Sequence, residues 1–217
     1  MFGDLLESTV DYYRRSYLAH GDSAAGMDWK DRASQTLRFD VIARHMDFSG
    51  RPSVLDVGCG NGEFLQHCRE RGLGIRYLGA DVCPEMVAAC RRRFGDDAAV
   101  EASAHEIERV DGAFDYVIAS GSFNAKRDAT PEAWRRYFEA CLAAMHRKCS
   151  RALIVNMMTG YVDFEAPHLY YVRPAALLDF VVAHLGRRFV LDHSYPLWEM
   201  TLVVAKDAPA PAARRAS

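Results

Sequence analysis

The stretch that most constrains this chain is Val54-Leu55-Asp56-Val57-Gly58-Cys59-Gly60-Asn61-Gly62-Glu63-Phe64. A short apolar strand, Ser53 to Val57, runs into a turn with three glycines and then into a helix that begins at Glu63. Glycines at such a turn permit positive φ and let a ligand approach the backbone closely, and the helix start offers unpaired N–H groups. A dinucleotide-binding turn spaces its glycines G-x-G-x-x-G, which would put the third at position 63. Glu63 stands there instead, and the spacing is G-x-G-x-G over Gly58, Gly60 and Gly62. Asp56, two residues before the first glycine, disfavours a pyrophosphate and favours a cationic ligand beside the turn.

Strands and helices alternate along most of the remaining chain. Glu63 to Arg71 carries Phe64, Leu65 and Cys68 on one face and stops at Gly72 and Gly74. Tyr77 to Ala80 is a second strand, and Pro84 opens a helix where its missing N–H costs nothing. Ala99 to Ala102 and Phe114 to Ala119 are the third and fourth strands. Thr130 and Pro131 read as an N-cap and a first helical residue, and the helix they open carries Trp134, Tyr137, Phe138, Cys141, Leu142 and Met145 on one stripe. Ala152 to Asn156 is a fifth strand and Pro174 to Leu185 a helix closed by Gly186. Phe189 to His193 and Met200 to Ala205 follow with no helix between them, so they pair through a short turn near Tyr195-Pro196.

This pattern predicts an α/β fold: a doubly wound, seven-stranded, mostly parallel sheet with one antiparallel strand, from the C-terminal hairpin, at or near its edge. Residues 1–50 read as a helical cap or lid segment, with a second helix at about Gln35 to Met46. Residues 51–206 read as the sheet domain, and 207–217, rich in Ala, Pro and Arg, as a frayed tail.

Half of the residues are hydrophobic, which excludes extended disorder. The 27 basic and 29 acidic side chains nearly cancel, arguing against nucleic acid as a partner. No run reaches the roughly 18 apolar residues of a membrane span, and the N-terminus lacks a basic-then-apolar signal pattern. These features predict a soluble, cytoplasmic protein with no membrane partner. The six cysteines form no CxxC pair, so no zinc framework is expected, and a reducing compartment suits them. The oligomeric state is not legible.

Three further stretches accompany the glycine turn in order. Leu78-Gly79-Ala80-Asp81-Val82-Cys83-Pro84-Glu85-Met86 sets an acid at the end of the second strand. Glu101-Ala102-Ser103-Ala104-His105 follows the third. Phe114 to Asn124 carries the fourth strand into the small-residue loop Ser120-Gly121-Ser122-Phe123-Asn124. Together, over about residues 50–125, these motifs resemble the class I S-adenosylmethionine-dependent methyltransferases, and the downstream pattern extends the likeness to about residue 206. The resemblance implies a Rossmann-like methyltransferase fold, S-adenosylmethionine as cofactor and S-adenosylhomocysteine as product. It implies a cofactor site of Asp56, Gly58, Cys59, Gly60 and Gly62, with Asp81 on the ribose hydroxyls and Val82 and Met86 beside the adenine. The family's acid for the adenine amino group falls here on Ser103, or on His105 in a shifted register. The Ala104 N–H remains for a ring nitrogen, and Ser120 faces the methionine part. Arg38 is a candidate partner for the cofactor's carboxylate; a solvated helix charge is the alternative.

The resemblance implies an enzyme, and the absence of an added docking region favours a small-molecule acceptor such as a metabolite or natural-product intermediate. The alternatives are an RNA or protein methyltransferase and a SAM-binding module without turnover. The family's metal-assisted branch carries a carboxylate just after the fourth strand; Ser120 and Gly121 stand there, so no metal is expected. The long connection from Met157 to Arg173 reads as a lid or binding loop. His168, then His105, then His193 are the candidate general bases. Trp29, Phe123, Asn124, Tyr161, Tyr170 and Tyr171 are the candidate acceptor-site residues.

Overall fold

The computed structural model describes residues 2–21 and 31–206. Trp29 and the tail 207–217 lie outside the described residues. Helices α1 (Gly3–His20) and α2 (Arg32–Arg44) precede the sheet. α2 starts earlier than its apolar pattern suggests because Asp31 caps it, accepting the Ser34 N–H at 2.7 Å. Then follow β1 (Ser53–Val57), α3 (Glu63–Glu70), β2 (Arg76–Asp81), α4 (Pro84–Phe94), β3 (Ala99–Glu101), β4 (Phe114–Ser120), α5 (Pro131–Lys148), β5 (Cys149–Met158), α6 (Pro174–His184), β6 (Phe189–Asp192) and β7 (Glu199–Ala205). β5 is longer than its apolar run because α5 passes straight into it: Cys149 both ends the helix and opens the strand.

The seven strands form one sheet in the order β3-β2-β1-β4-β5-β7-β6. β1 to β5 are mutually parallel, and β7 is antiparallel to both β5 and β6. The reversed strand is therefore one place in from the edge, and β6 is the edge itself. Reversal brings the first residue of β7, Glu199, opposite Met158 at the end of β5. A residue late in the chain thus reaches the edge where the parallel strands end, which is where open α/β sheets bind ligands.

Successive side chains on a strand point to opposite faces, and both faces here are covered. Leu55, Val57, Val117, Ala119, Leu153, Val155, Leu202 and Val204 pack with the aromatic stripe of α5 and with Leu177 and Val181 of α6. On the other face Val54, Ile118, Ile154 and Val203 meet Phe39 and Ile42 of α2 and Phe64 and Leu65 of α3. Covering both faces explains why the strands read as nearly continuous apolar runs. α1 lies against α4, where Arg14 pairs with Glu85 at 2.7 Å.

Candidate active site

The turn after β1 is held by its backbone. Gly58, Gly60 and Gly62 all have positive φ, at 76°, 54° and 85°. At Gly58 a Cβ would lie 2.3 Å from Ser122 Oγ, whose hydroxyl donates to Val57 O at 2.8 Å. The glycine therefore lets the loop after β4 close onto the turn. At Gly62 a Cβ would strike Phe94 at 2.6 Å and Cys90 Sγ at 2.9 Å. The N–H groups of Gly58 and Cys59 both donate to Ala80 O, tying the turn to β2. Arg93 braces its far side, donating to Asn61 O and pairing with Glu63 at 2.6 Å. The Sγ of Cys59 points away from the turn's open side, toward Gly79 and Cys90.

Two carboxylates stand beside this turn, and both are buried. Asp81 accepts the Gly60 N–H on one oxygen and the Cys83 N–H on the other, each at 2.9 Å. Burial raises its pKa, and the backbone hydrogen bonds work against that rise. A carboxylate offers about four lone-pair positions, so acceptor capacity remains. Asp56 accepts from Tyr77 Oη at 2.9 Å. Burial pushes its pKa up to about 7, Tyr77 opposes this, and the nearby Asp81 adds to it.

Between the sheet edge and the two N-terminal helices lies a cavity of about 310 Å³. Asp56, Gly58, Cys59, Gly60, Asp81, Val82, Met86, Ala104, Ser120 and Arg38 all line it, as do Phe123 and Asn124. The structure thus brings together most of the residues assigned from the sequence to the cofactor, and two of those assigned to the acceptor. Gly62 sits behind the turn as the left-handed cap of α3. Ser103 is buried outside the cavity, its hydroxyl donating to Glu106 at 2.9 Å. Its neighbours Ala102 and Ala104 line the cavity instead.

The three histidines stand outside the cavity. His105 packs edge-on against Phe2 and Tyr137, and burial lowers its pKa. His168 is exposed, and its carbonyl accepts the Arg127 N–H. His193 is exposed beside the ring of Tyr161, itself 60% exposed. Tyr170 is buried against Phe138, and its N–H anchors the long loop to Asn124 O at 2.7 Å. Tyr171 accepts the Ala166 N–H on its hydroxyl. These two tyrosines shape the loop rather than the cavity wall.

Arg38 matches neither sequence alternative in full. It is buried, and its guanidinium grips Glu199 through Nε at 2.6 Å and Nη2 at 2.5 Å. Gln35, Tyr13, Trp134 and Tyr137 complete much of the wall. The sequence signal for Glu199 was available: it is the one acid in the strand Glu-Met-Thr-Leu-Val-Val-Ala, whose first six residues are all buried. Trp134 was visible as part of the α5 stripe. Its Nε1 donates to Phe123 O at 2.9 Å and so fixes the loop after β4.

A parallel sheet with a reversed β7, a G-x-G-x-G turn after β1 and an acid at the end of β2 together define a class, and comparison with known proteins agrees. A family described as "Methyltransferase domain" matches residues 54–148. A Mycobacterium tuberculosis protein bearing a methyltransferase name, Rv1506c, is 35% identical over 156 residues, covering 71% of this chain and 93% of its own length. Two solved structures share the fold. Magnesium protoporphyrin IX methyltransferase from Synechocystis PCC 6803, with bound S-adenosylhomocysteine, superposes with a TM-score of 0.63 at 16% identity, covering 94% of this chain and 97% of that one. The 1,6-didemethyltoxoflavin-N1-methyltransferase of Burkholderia thailandensis, with its acceptor and S-adenosylhomocysteine bound, gives 0.62 at 19%, covering 92% and 88%. The chain belongs to the class I S-adenosylmethionine-dependent methyltransferase family.

Proposed function

We propose that this protein transfers a methyl group from S-adenosylmethionine to a small-molecule acceptor without the help of a metal ion, with helices α1 and α2 capping the site. The observation that carries this reading is one cavity that joins the glycine turn and Asp81 to an aromatic wall of Phe123, Trp134 and Tyr137 under α1 and α2. The chemistry of the turn end suits the cofactor. The turn's backbone lines the cavity, Asp81 keeps acceptor capacity, and no cation of the described residues pairs with Asp56. The covered aromatic end suits a compact molecule better than a polymer, and both solved relatives above are named for small molecules.

S-adenosylmethionine, when bound, supplies a methyl group already activated by the positive charge on its sulfur. The chain's own residues then have positioning to do, which supplies much of the acceleration in a displacement of this kind. Asp81 accepts from the ribose hydroxyls with the lone pairs left over from Gly60 and Cys83. Val82, Met86 and Ala104 flank the adenine. Asp56 stands behind the turn, where burial raises its carboxyl pKa to about 7, so it gains negative charge only as the pH rises through neutrality. Trp134 and Asn124, through Phe123 O and the Met158 N–H at 3.1 Å, hold the loop after β4 in register. Leu6, Thr9 and Tyr13 of α1 close the cavity from above and exclude water. No helix among the described residues is long and apolar enough to cross a membrane, and a cytoplasmic location is part of this proposal.

Calorimetric titration with S-adenosylmethionine, S-adenosylhomocysteine and NADH tests the reading. Micromolar binding of the first two and none of NADH is expected. Binding of NADH alone would overturn it.

A further inference from the structure

We propose that Glu199 takes the proton released by the methyl acceptor, and that the acceptor is accordingly a compact, uncharged molecule carrying a protic heteroatom: a hydroxyl, an enol or an amine. This rests on the methyl-transfer reading above and adds the acceptor's chemistry to it.

The cavity crosses one edge of five neighbouring strands, the carboxyl ends of β2, β1, β4 and β5 and the amino end of β7. Four spacings of about 4.8 Å make that roughly 19 Å. Asp81 ends β2 at one extreme, and Glu199 opens β7 at the other. The turn, Asp56 and Asp81 occupy the first end, so Glu199 stands two strands beyond β4, in the part the cofactor's anchors leave over.

The cavity's other carboxylates stand at its turn end, where Asp56 accepts from Tyr77, Asp81 accepts from two backbone N–H groups and Glu63 pairs with Arg93. Glu199 is gripped by Arg38 through two parallel hydrogen bonds, which leaves about two of its four lone-pair positions. The residue is only 5% exposed yet lines the cavity, so that capacity is open to the cavity and not to bulk water. A buried ion pair is costly unless its remaining hydrogen-bonding capacity is met, and a donor on the acceptor meets it. A second observation points the same way. Ser120 Oγ, at the end of β4, is buried at the cavity wall without a hydrogen-bond partner. A polar group of a ligand bound there supplies that partner.

The chemistry balances without a further reactant. The heteroatom's lone pair forms the bond to the methyl carbon, the carbon–sulfur bond breaks, and the sulfur keeps its electron pair. The heteroatom gains positive charge and becomes strongly acidic. Its proton then passes to an Oε of Glu199 and on to water as product leaves. A carboxylate suffices because the heteroatom becomes a strong acid once its bond to the methyl carbon has formed. Arg38 is a positioning residue: its planar fork fixes the carboxylate's orientation. A carboxylated acceptor would set a second negative charge against Glu199.

The test uses the whole chain, calorimetry of S-adenosylhomocysteine binding, and its release from S-adenosylmethionine in the presence of four probes. These are 4-methylcatechol and 3-aminophenol, the aprotic 1,2-dimethoxybenzene and the anionic 3,4-dihydroxybenzoate. Turnover of a protic probe is expected, with none of the aprotic one and at least tenfold less of the anionic one. Glu199→Gln should keep S-adenosylhomocysteine affinity within about threefold, which also reports folding. Its kcat should fall about 100-fold at nearly unchanged KM, in the range of general-base losses. Glu199→Asp should restore part of that loss. The proposal is overturned if wild type binds S-adenosylhomocysteine but turns over no protic probe, or if Glu199→Gln keeps wild-type kcat. It is also overturned if the folded variant loses S-adenosylhomocysteine affinity, which would assign Glu199 to the cofactor. Failure of wild type to bind either adenosyl compound would instead overturn the methyl-transfer reading beneath it.

Discussion

The two ends of the cavity are built by different means. At the β1–β2 end the ligand-facing surface is backbone, shaped by Gly58, Gly60 and Asp81, and the residues that make it lie within about 25 positions of one another. At the β5–β7 end the surface is side chain, and its central contact joins Arg38 to Glu199 across 161 positions. The two ends therefore answer differently to substitution. The backbone cradle tolerates little variation at Gly58 and Gly62, where a Cβ strikes a neighbour. A side-chain end can be rebuilt one residue at a time.

Substitutions sharpen the contrast. The largest loss of cofactor binding is expected from Gly58→Ala, which adds a methyl 2.3 Å from Ser122 Oγ at a φ of 76°. Calorimetry should show S-adenosylhomocysteine affinity lowered at least 100-fold, about 2.7 kcal/mol. An unchanged constant would mean that the turn adapts and is no rigid cradle. Asp81→Ala should cost at least tenfold in the same titration, since it removes the acceptor proposed for the ribose and leaves the Gly60 and Cys83 N–H groups without their partner.

Asp56 offers a pH test of the same end. Its carboxyl is held up at about 7 in the fold, against an ordinary value of 3.8. The folded state binds that proton more tightly than the unfolded chain, so ionisation between about pH 4 and pH 7 lowers stability. Asp56→Asn should therefore raise the melting temperature near pH 8 and change it little near pH 4, as scanning calorimetry of the ligand-free protein would show. An equal shift at both pH values would refute the raised pKa. The smallest effect is expected on the outer rim. His168→Ala should change kcat less than twofold, because the ring is exposed and away from the cavity. A tenfold drop would bring the long loop into the chemistry and redraw the boundary between the two ends.

Much of the first end was legible in the sequence. Apolar strands of five to seven residues, a G-x-G-x-G spacing and Asp81 before Pro84 are local patterns, and local patterns survive folding. Ser103 was harder. The family position was identifiable, but whether its hydroxyl faced the ligand depended on Glu106, three residues on, which takes it. The histidines depend on the same kind of information: whether a loop histidine faces the cavity is decided by packing that no spacing encodes, and none of the three candidates lines it. Arg38 and Glu199 were each visible as charges, one on a helix and one just before the predicted last strand. Their pairing depends on β7 inserting between β5 and β6 in reverse, and the hydrophobic pattern predicts the hairpin without fixing which of its strands lies inside.

That reversed strand also sets an order of assembly. Loops between β1 and β2 are short to close, whereas bringing Glu199 to Arg38 closes most of the chain and carries the larger entropic cost. The glycine turn and Asp81 can form as β1 and β2 pair, before β7 has found its slot. On the proposed role of Glu199, a chain at that stage would hold the turn but lack the acceptor's base, and pairing of β7 would complete the transferase.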